Sequence, residues 1–168
     1  KSLATGFLLG KNVSEKSKEG KQAYRLFLVT NRHVFYNKKN KQYKKEVLFR
    51  FNTVEDKSYH FRVNLLGSDG SPVWSMHENE NVDLAVLPIN PNAMNQAKIE
   101  YYFFRENDLF FAKDFISKNI STGDGLFVLG FPMRISGKAK NFVIVRQGII
   151  ARVDEEVLEE GFYYIDAS

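Results

Sequence analysis

Apolar, β-prone residues recur along this chain in short runs separated by polar turns, the pattern of strands. Residues 3–10 read as a strand interrupted by Gly6, which suits a bulge or a close backbone approach. Residues 11–20 form a polar loop and 23–30 the return strand of a long-tipped hairpin. Residues 46–51 and 59–65 are two further strands. The second alternates cleanly: Tyr59, Phe61, Val63 and Leu65 share one face, and His60, Arg62 and Asn64 share the other. A short apolar strand follows Asp83 and ends before Asn90-Pro91-Asn92. Residues 90–121 lose the alternation and read as an aromatic-rich connector packed across the surface, with one helical turn over 112–117. Strand character resumes in 124–132, closed by Gly130 and Pro132, and in 141–153, which contains Gly148. An acidic turn over 155–161 leads into a last strand from Phe162. The fold class expected is all-β.

Composition narrows this further. The 168 residues are 43% hydrophobic and 26% charged, enough for a core and ordinary for a soluble domain. Fifteen Phe and eight Tyr against one Trp and four Pro favour strands. A net charge of +4 is mildly basic and does not by itself imply a nucleic-acid partner. The absence of cysteine excludes disulfides, thiolate metal sites and a cysteine nucleophile. It fits a reducing compartment and equally a disulfide-free exported protein, so the sequence leaves localisation open. No apolar run reaches the length of a membrane span, and no signal peptide is visible. Because the chain opens on Lys1, its natural start is expected to have been removed.

Candidate chemistry centres on one histidine. The run Leu26-Phe27-Leu28-Val29-Thr30-Asn31-Arg32-His33-Val34 drives into the core and ends at His33, which a rigid strand end would hold facing a cleft. Asp83, in Asn81-Val82-Asp83-Leu84-Ala85-Val86-Leu87-Pro88, places a carboxylate at the mouth of a second apolar strand. A buried carboxylate there needs a cation or donor, and His33 is its natural partner. Other features are weaker. Five lysines within residues 38–45, with Tyr43 among them, are expected to be a solvated hairpin loop rather than a phosphate-binding surface. Gly67-Ser68-Asp69-Gly70-Ser71-Pro72-Val73 places serines near glycines, but it has the residues of a tight turn and no strand-to-helix frame. His77, Glu78 and Glu80 lie in a polar loop over 74–81 with no metal-binding spacing.

Thr30-Asn31-Arg32-His33-Val34, followed fifty residues after the histidine by Asp83-Leu84-Ala85-Val86-Leu87, resembles the trypsin-like peptidases, in particular the bacterial branch that includes HtrA-type proteases. Gly6-Phe7-Leu8-Leu9 is similar to that domain's first strand. Asp124-Gly125 to Gly130-Phe131-Pro132 is similar to the strand opening its second barrel, and Gln147-Gly148-Ile149-Ile150 to the next one. Tyr164-Ile165-Asp166-Ala167-Ser168 is similar to the run just before the Gly-Asn-Ser-Gly nucleophile loop.

The resemblance implies two antiparallel β-barrels: residues 1–90 carrying His33 and Asp83, a connector over 91–122, and 123–168 beginning an incomplete second barrel. It implies a polypeptide substrate, hydrolysed with His33 as general base and Asp83 orienting it, without metal or organic cofactor. The chain departs from the family in two ways. Asn31-Arg32 replaces a pair of small residues, so Arg32 must point outward or find a partner. Ser168 lacks flanking glycines, so the nucleophile is expected shortly beyond it, and the 168 residues alone are expected to be inactive. Two other readings stand beside this one: a catalytically inactive, protease-like module that binds peptide, and a nucleic-acid-binding surface for which only the lysine run speaks. A nucleic-acid partner is not expected.

Overall fold

The computed structural model describes residues 4–16, 22–131 and 137–168. They divide into two units, one of residues up to 106 together with 137–142, the other of 107–131 with 143–168. The class is all-β, with a few short helices, and the described strands form open sheets that do not close into barrels.

The first unit is built on β1 (Gly6–Lys16) and β2 (Gln22–Thr30), paired antiparallel from Gly6↔Thr30 onward. Gly6 is a close approach and not a bulge: a Cβ there would lie 3.0 Å from the Val29 carbonyl oxygen. The register breaks later, between Asn12 and Lys16, well into the stretch expected as a loop. The strand persists there because the ladder is held by backbone hydrogen bonds and needs no apolar face. Part of the expected loop, residues 17–21, lies outside the described residues.

Beyond the hairpin come β3 (Tyr36–Asn37) and β4 (Gln42–Tyr43), a small hairpin of their own, then the antiparallel pair β5 (Glu46–Thr53) and β6 (Ser58–Asn64). Phe61 and Val63 are half-buried and Leu65 fully buried, while His60, Arg62 and Asn64 are exposed, as the alternation requires; Tyr59, expected on the inner face, is exposed. The sheet of β1 and β2 is completed by β7 (Ser75–Met76), β8 (Ala85–Ile89) and, beyond α1 (Pro91–Gln96) and β9 (Ile99–Glu100), by β10 (Phe104–Arg105). Its order is β10-β1-β2-β8-β7, with only β10 parallel to its neighbour. Pro88 is accommodated in β8 because β7 pairs only as far as Val86, which leaves the outer side of β8 without a partner strand at Pro88.

Alternate residues of β2 and β8 (Leu26 and Leu28; Ala85, Leu87 and Ile89) join Leu8, Phe35, Leu65, Trp74, Met94 and Ile99 in one core. Trp74, expected in a polar loop, is buried there at the entry to β7. The segment after β8, expected to cross the surface, supplies fully buried Met94 from α1 and buried Ile99 from β9. Asn90 caps α1 by accepting the Asn92 N–H at 3.0 Å, a start signal hidden beside a strand-breaking proline. Residues 137–142 belong to the same unit: the Asn52 side chain donates to the Asn141 carbonyl and accepts its N–H, the Asn141 side chain donates to the Arg50 carbonyl, and Arg50 donates to the Gly137 and Lys138 carbonyls.

In the second unit, α2 (Ala112–Ser117) occupies the expected helical turn. β11 (Gly125–Gly130), β12 (Ile144–Arg152) and β13 (Tyr164–Ala167) form an antiparallel sheet in that order. The acidic stretch before β13 is a helix, α3 (Glu155–Glu159), and not a turn. Asp154 accepts the Val157 N–H at 3.1 Å, and Glu155 and Glu156 favour the positive end of the helix. Among the described residues no helix is long and apolar enough to cross a membrane.

Candidate active site

The pairing of β2 with β8 decides what meets at this end of the sheet. Thr30, the last residue of β2, lies opposite Ala85, the first of β8, in antiparallel register. The chain leaving β2 and the chain entering β8 therefore share one end, which brings residues 31–33 beside residues 80–83. Phe35, fully buried, anchors the outgoing chain in the core through edge contacts with Phe49 and Trp74. Between Thr30 and Phe35 the backbone makes a single 3₁₀ turn over Arg32–Val34, so His33 is carried by a tight turn just beyond the strand and not by the strand itself. Lys44 Nζ donates to the carbonyls of Val34 at 2.8 Å and His33 at 3.3 Å, covering the carbonyl end of that turn.

Asp83 reaches His33 with both oxygens. Oδ2 lies 2.5 Å from His33 Nδ1, and Oδ1 accepts the His33 backbone N–H at 3.0 Å. This arrangement favours the tautomer with the proton on Nδ1, leaving Nε2 as the acceptor. No hydrogen bond to Nε2 is found among the described residues. Burial pushes the Asp83 carboxyl up, but the hydrogen bonds from the His33 ring and backbone, with the charges of His33 and Arg32, outweigh it. The carboxyl is held below its ordinary range.

The expectation of a buried carboxylate is corrected: the Asp83 side chain is 45% exposed and that of His33 56%. Asp83 lies in the irregular segment before β8 and not among the apolar residues of the strand. The two side chains border an open cleft of about 330 Å³, shared with Arg32, Tyr36, Lys38, Glu80 and Asn81.

Arg32 takes the second course open to it. It is 8% exposed, and its guanidinium donates to the Glu80 carbonyl at 2.5 Å. Asn31 donates to the Asp83 carbonyl at 3.2 Å. The sequence left open whether Arg32 points outward or finds a partner and offered no sign of which partner, and nothing distinguished Lys44 from the other lysines of its run.

The remaining candidates fall elsewhere. Residues 67–73 make the expected turn, with the Gly70 N–H on the Gly67 carbonyl, and the Ser71 hydroxyl donates to Asp69 at 2.7 Å. His60 is exposed on β6. His77 Nδ1 accepts the Asn79 N–H at 3.0 Å, and the described residues contain no group of three or more His, Cys, Asp or Glu side chains placed to hold a metal. The lysine run is the β3–β4 hairpin. Its Tyr43 ring packs against Tyr36 and Trp74, at 5.3 and 5.8 Å between centroids.

Compared with family models, curated proteins and solved structures, the chain finds no match. The functional reading therefore rests on the geometry of this site and on the motifs that carry it.

Proposed function

We propose that this chain is the greater part of a trypsin-like serine endopeptidase domain, with polypeptide as substrate. In this reading His33 Nε2 takes the proton of a serine hydroxyl and later returns it to the leaving amine. Asp83 holds the imidazole in the required tautomer and stabilises its cation without itself being protonated. The observation that supports this most directly is the double contact of Asp83: one oxygen on the ring Nδ1 and the other on the same residue's backbone N–H. In this reading the nucleophile and its oxyanion-binding amides would be supplied by chain beyond Ser168. The reaction draws on no metal or organic cofactor.

The test compares the 168-residue chain with a version extended through the following segment, using casein hydrolysis and labelling by a fluorophosphonate probe. The extended chain is expected to cleave and label, and His33→Ala to abolish both; the shorter chain does neither. Labelling of the shorter chain would place the nucleophile within these residues. An extended chain that carries a glycine-flanked serine yet neither cleaves nor labels would sink the enzyme reading and leave a peptide-binding module.

A further inference from the structure

We infer that Arg32 is a positioning residue: it latches the Asp83 loop onto the His33 turn and thereby sets the tautomer of the histidine. The inference rests on the endopeptidase reading only for its consequence in catalysis, since the geometry of the pair stands without it.

Residues 82–84 have no regular secondary structure, and the Asp83 side chain is half-exposed, so local folding alone does not fix the carboxylate. What fixes it is a set of hydrogen bonds from three consecutive residues. Arg32 holds the Glu80 carbonyl, Asn31 holds the Asp83 carbonyl, and the His33 N–H and Nδ1 hold the two carboxylate oxygens. The loop is thus pinned three residues before the carboxylate and again at it. Of these ties, the one from Arg32 is the most protected from water, because the residue is almost fully buried.

A buried guanidinium is costly unless it is hydrogen-bonded and faces an opposite charge. The bond to the Glu80 carbonyl meets the first of these needs. One side chain therefore fixes the backbone of the loop that carries Asp83. A small residue at position 32 would not supply that tie.

The test is ¹⁵N NMR of the imidazole nitrogens in the 168-residue chain, where His60 and His77 serve as internal references. In the wild type, neutral His33 is expected as the Nδ1–H tautomer. In Arg32→Gln it is expected to move toward the Nε2–H form that an unrestrained imidazole prefers, with the signals of His60 and His77 unchanged. Arg32→Lys, which keeps the charge and one donor, should restore part of the Nδ1–H population. In an active extended chain, Arg32→Gln should lower kcat/KM by about 10²-fold through kcat, the scale of a misplaced catalytic group.

A folded Arg32→Gln chain that keeps the wild-type tautomer overturns the inference. If both variants lose the fold, Arg32 is a scaffold residue and the inference also fails. Failure of the extended wild-type chain to cleave sinks the endopeptidase reading and leaves the NMR result standing.

Discussion

Asp83 and His33 are joined twice, once through the ring and once through the backbone. A single ring contact would leave the carboxylate free to swing about its own side-chain torsions. The second contact, from the N–H of the residue it serves, fixes which oxygen faces Nδ1.

Asp83→Asn in an active extended chain should therefore cut kcat by about 10⁴-fold while leaving the fold intact, because an amide in that place favours the wrong tautomer. Steady-state kinetics on a peptide substrate, with circular dichroism as the control for folding, measure it. A loss of less than about tenfold would show that the carboxylate is not orienting the base.

The same carboxylate makes a pH-dependent contribution to stability. Its folded-state pKa is lowered, so its interactions stabilise the fold in full above the unfolded carboxylate value, about 3.9, and are lost as pH falls through the folded value. With the side chain 45% exposed, solvent screening keeps this below about 1 kcal/mol. Urea unfolding of wild type and Asp83→Asn should show a small gap near about pH 6 that closes toward about pH 2.5. A gap that stays constant across that range would assign the effect to packing.

Phe35 ties the His33 turn to the core, fully buried against Phe49 and Trp74 with ring centroids 6.2 and 5.2 Å away. Phe35→Ala is expected to cost about 3–5 kcal/mol in denaturant unfolding. Because the 3₁₀ turn hangs from this anchor, the His33 tautomer should become mixed in the same variant. An unchanged midpoint would mean that the site can collapse around the missing ring.

In the second unit, Gly148 on β12 faces β13 so closely that a Cβ would collide with the Asp166 carbonyl oxygen and lie 2.7 Å from the Ala167 Cβ. Gly148→Ala should destabilise this sheet by about 1–3 kcal/mol. Amide hydrogen exchange should rise along residues 164–167 more than along β11. Equal protection in both variants would show that β13 shifts aside without loss.

Much of the sheet structure was legible because strands have a period of two and one wet face. Residues 60–65 declare their buried and exposed sides directly, and the β1–β2 hairpin follows from two apolar runs. Elements without that signature were not legible. The outer arm of β1 carries no apolar alternation in its sequence, α1 and α3 each bury a single residue, and β9 and β10 are two residues each. For such pieces, caps and neighbouring strands decide the structure, and no periodic pattern is long enough to record them.

At the site, residue type and local pattern picked out His33 and Asp83 as partners, and the comparison with the resembled family marked Arg32 as a side chain that must point outward or find a partner. The contact itself depends on the register of β2 against β8, which sets Thr30 opposite Ala85 and so gathers two segments fifty residues apart at one end of a sheet. Strand alternation is a local property, whereas the choice of neighbouring strand is made by the shared core of Leu26, Leu28, Ala85 and Leu87. Only the tertiary structure therefore decided that Asp83 binds His33 with both oxygens, that the pair is half-exposed, and that a buried arginine holds the loop behind it.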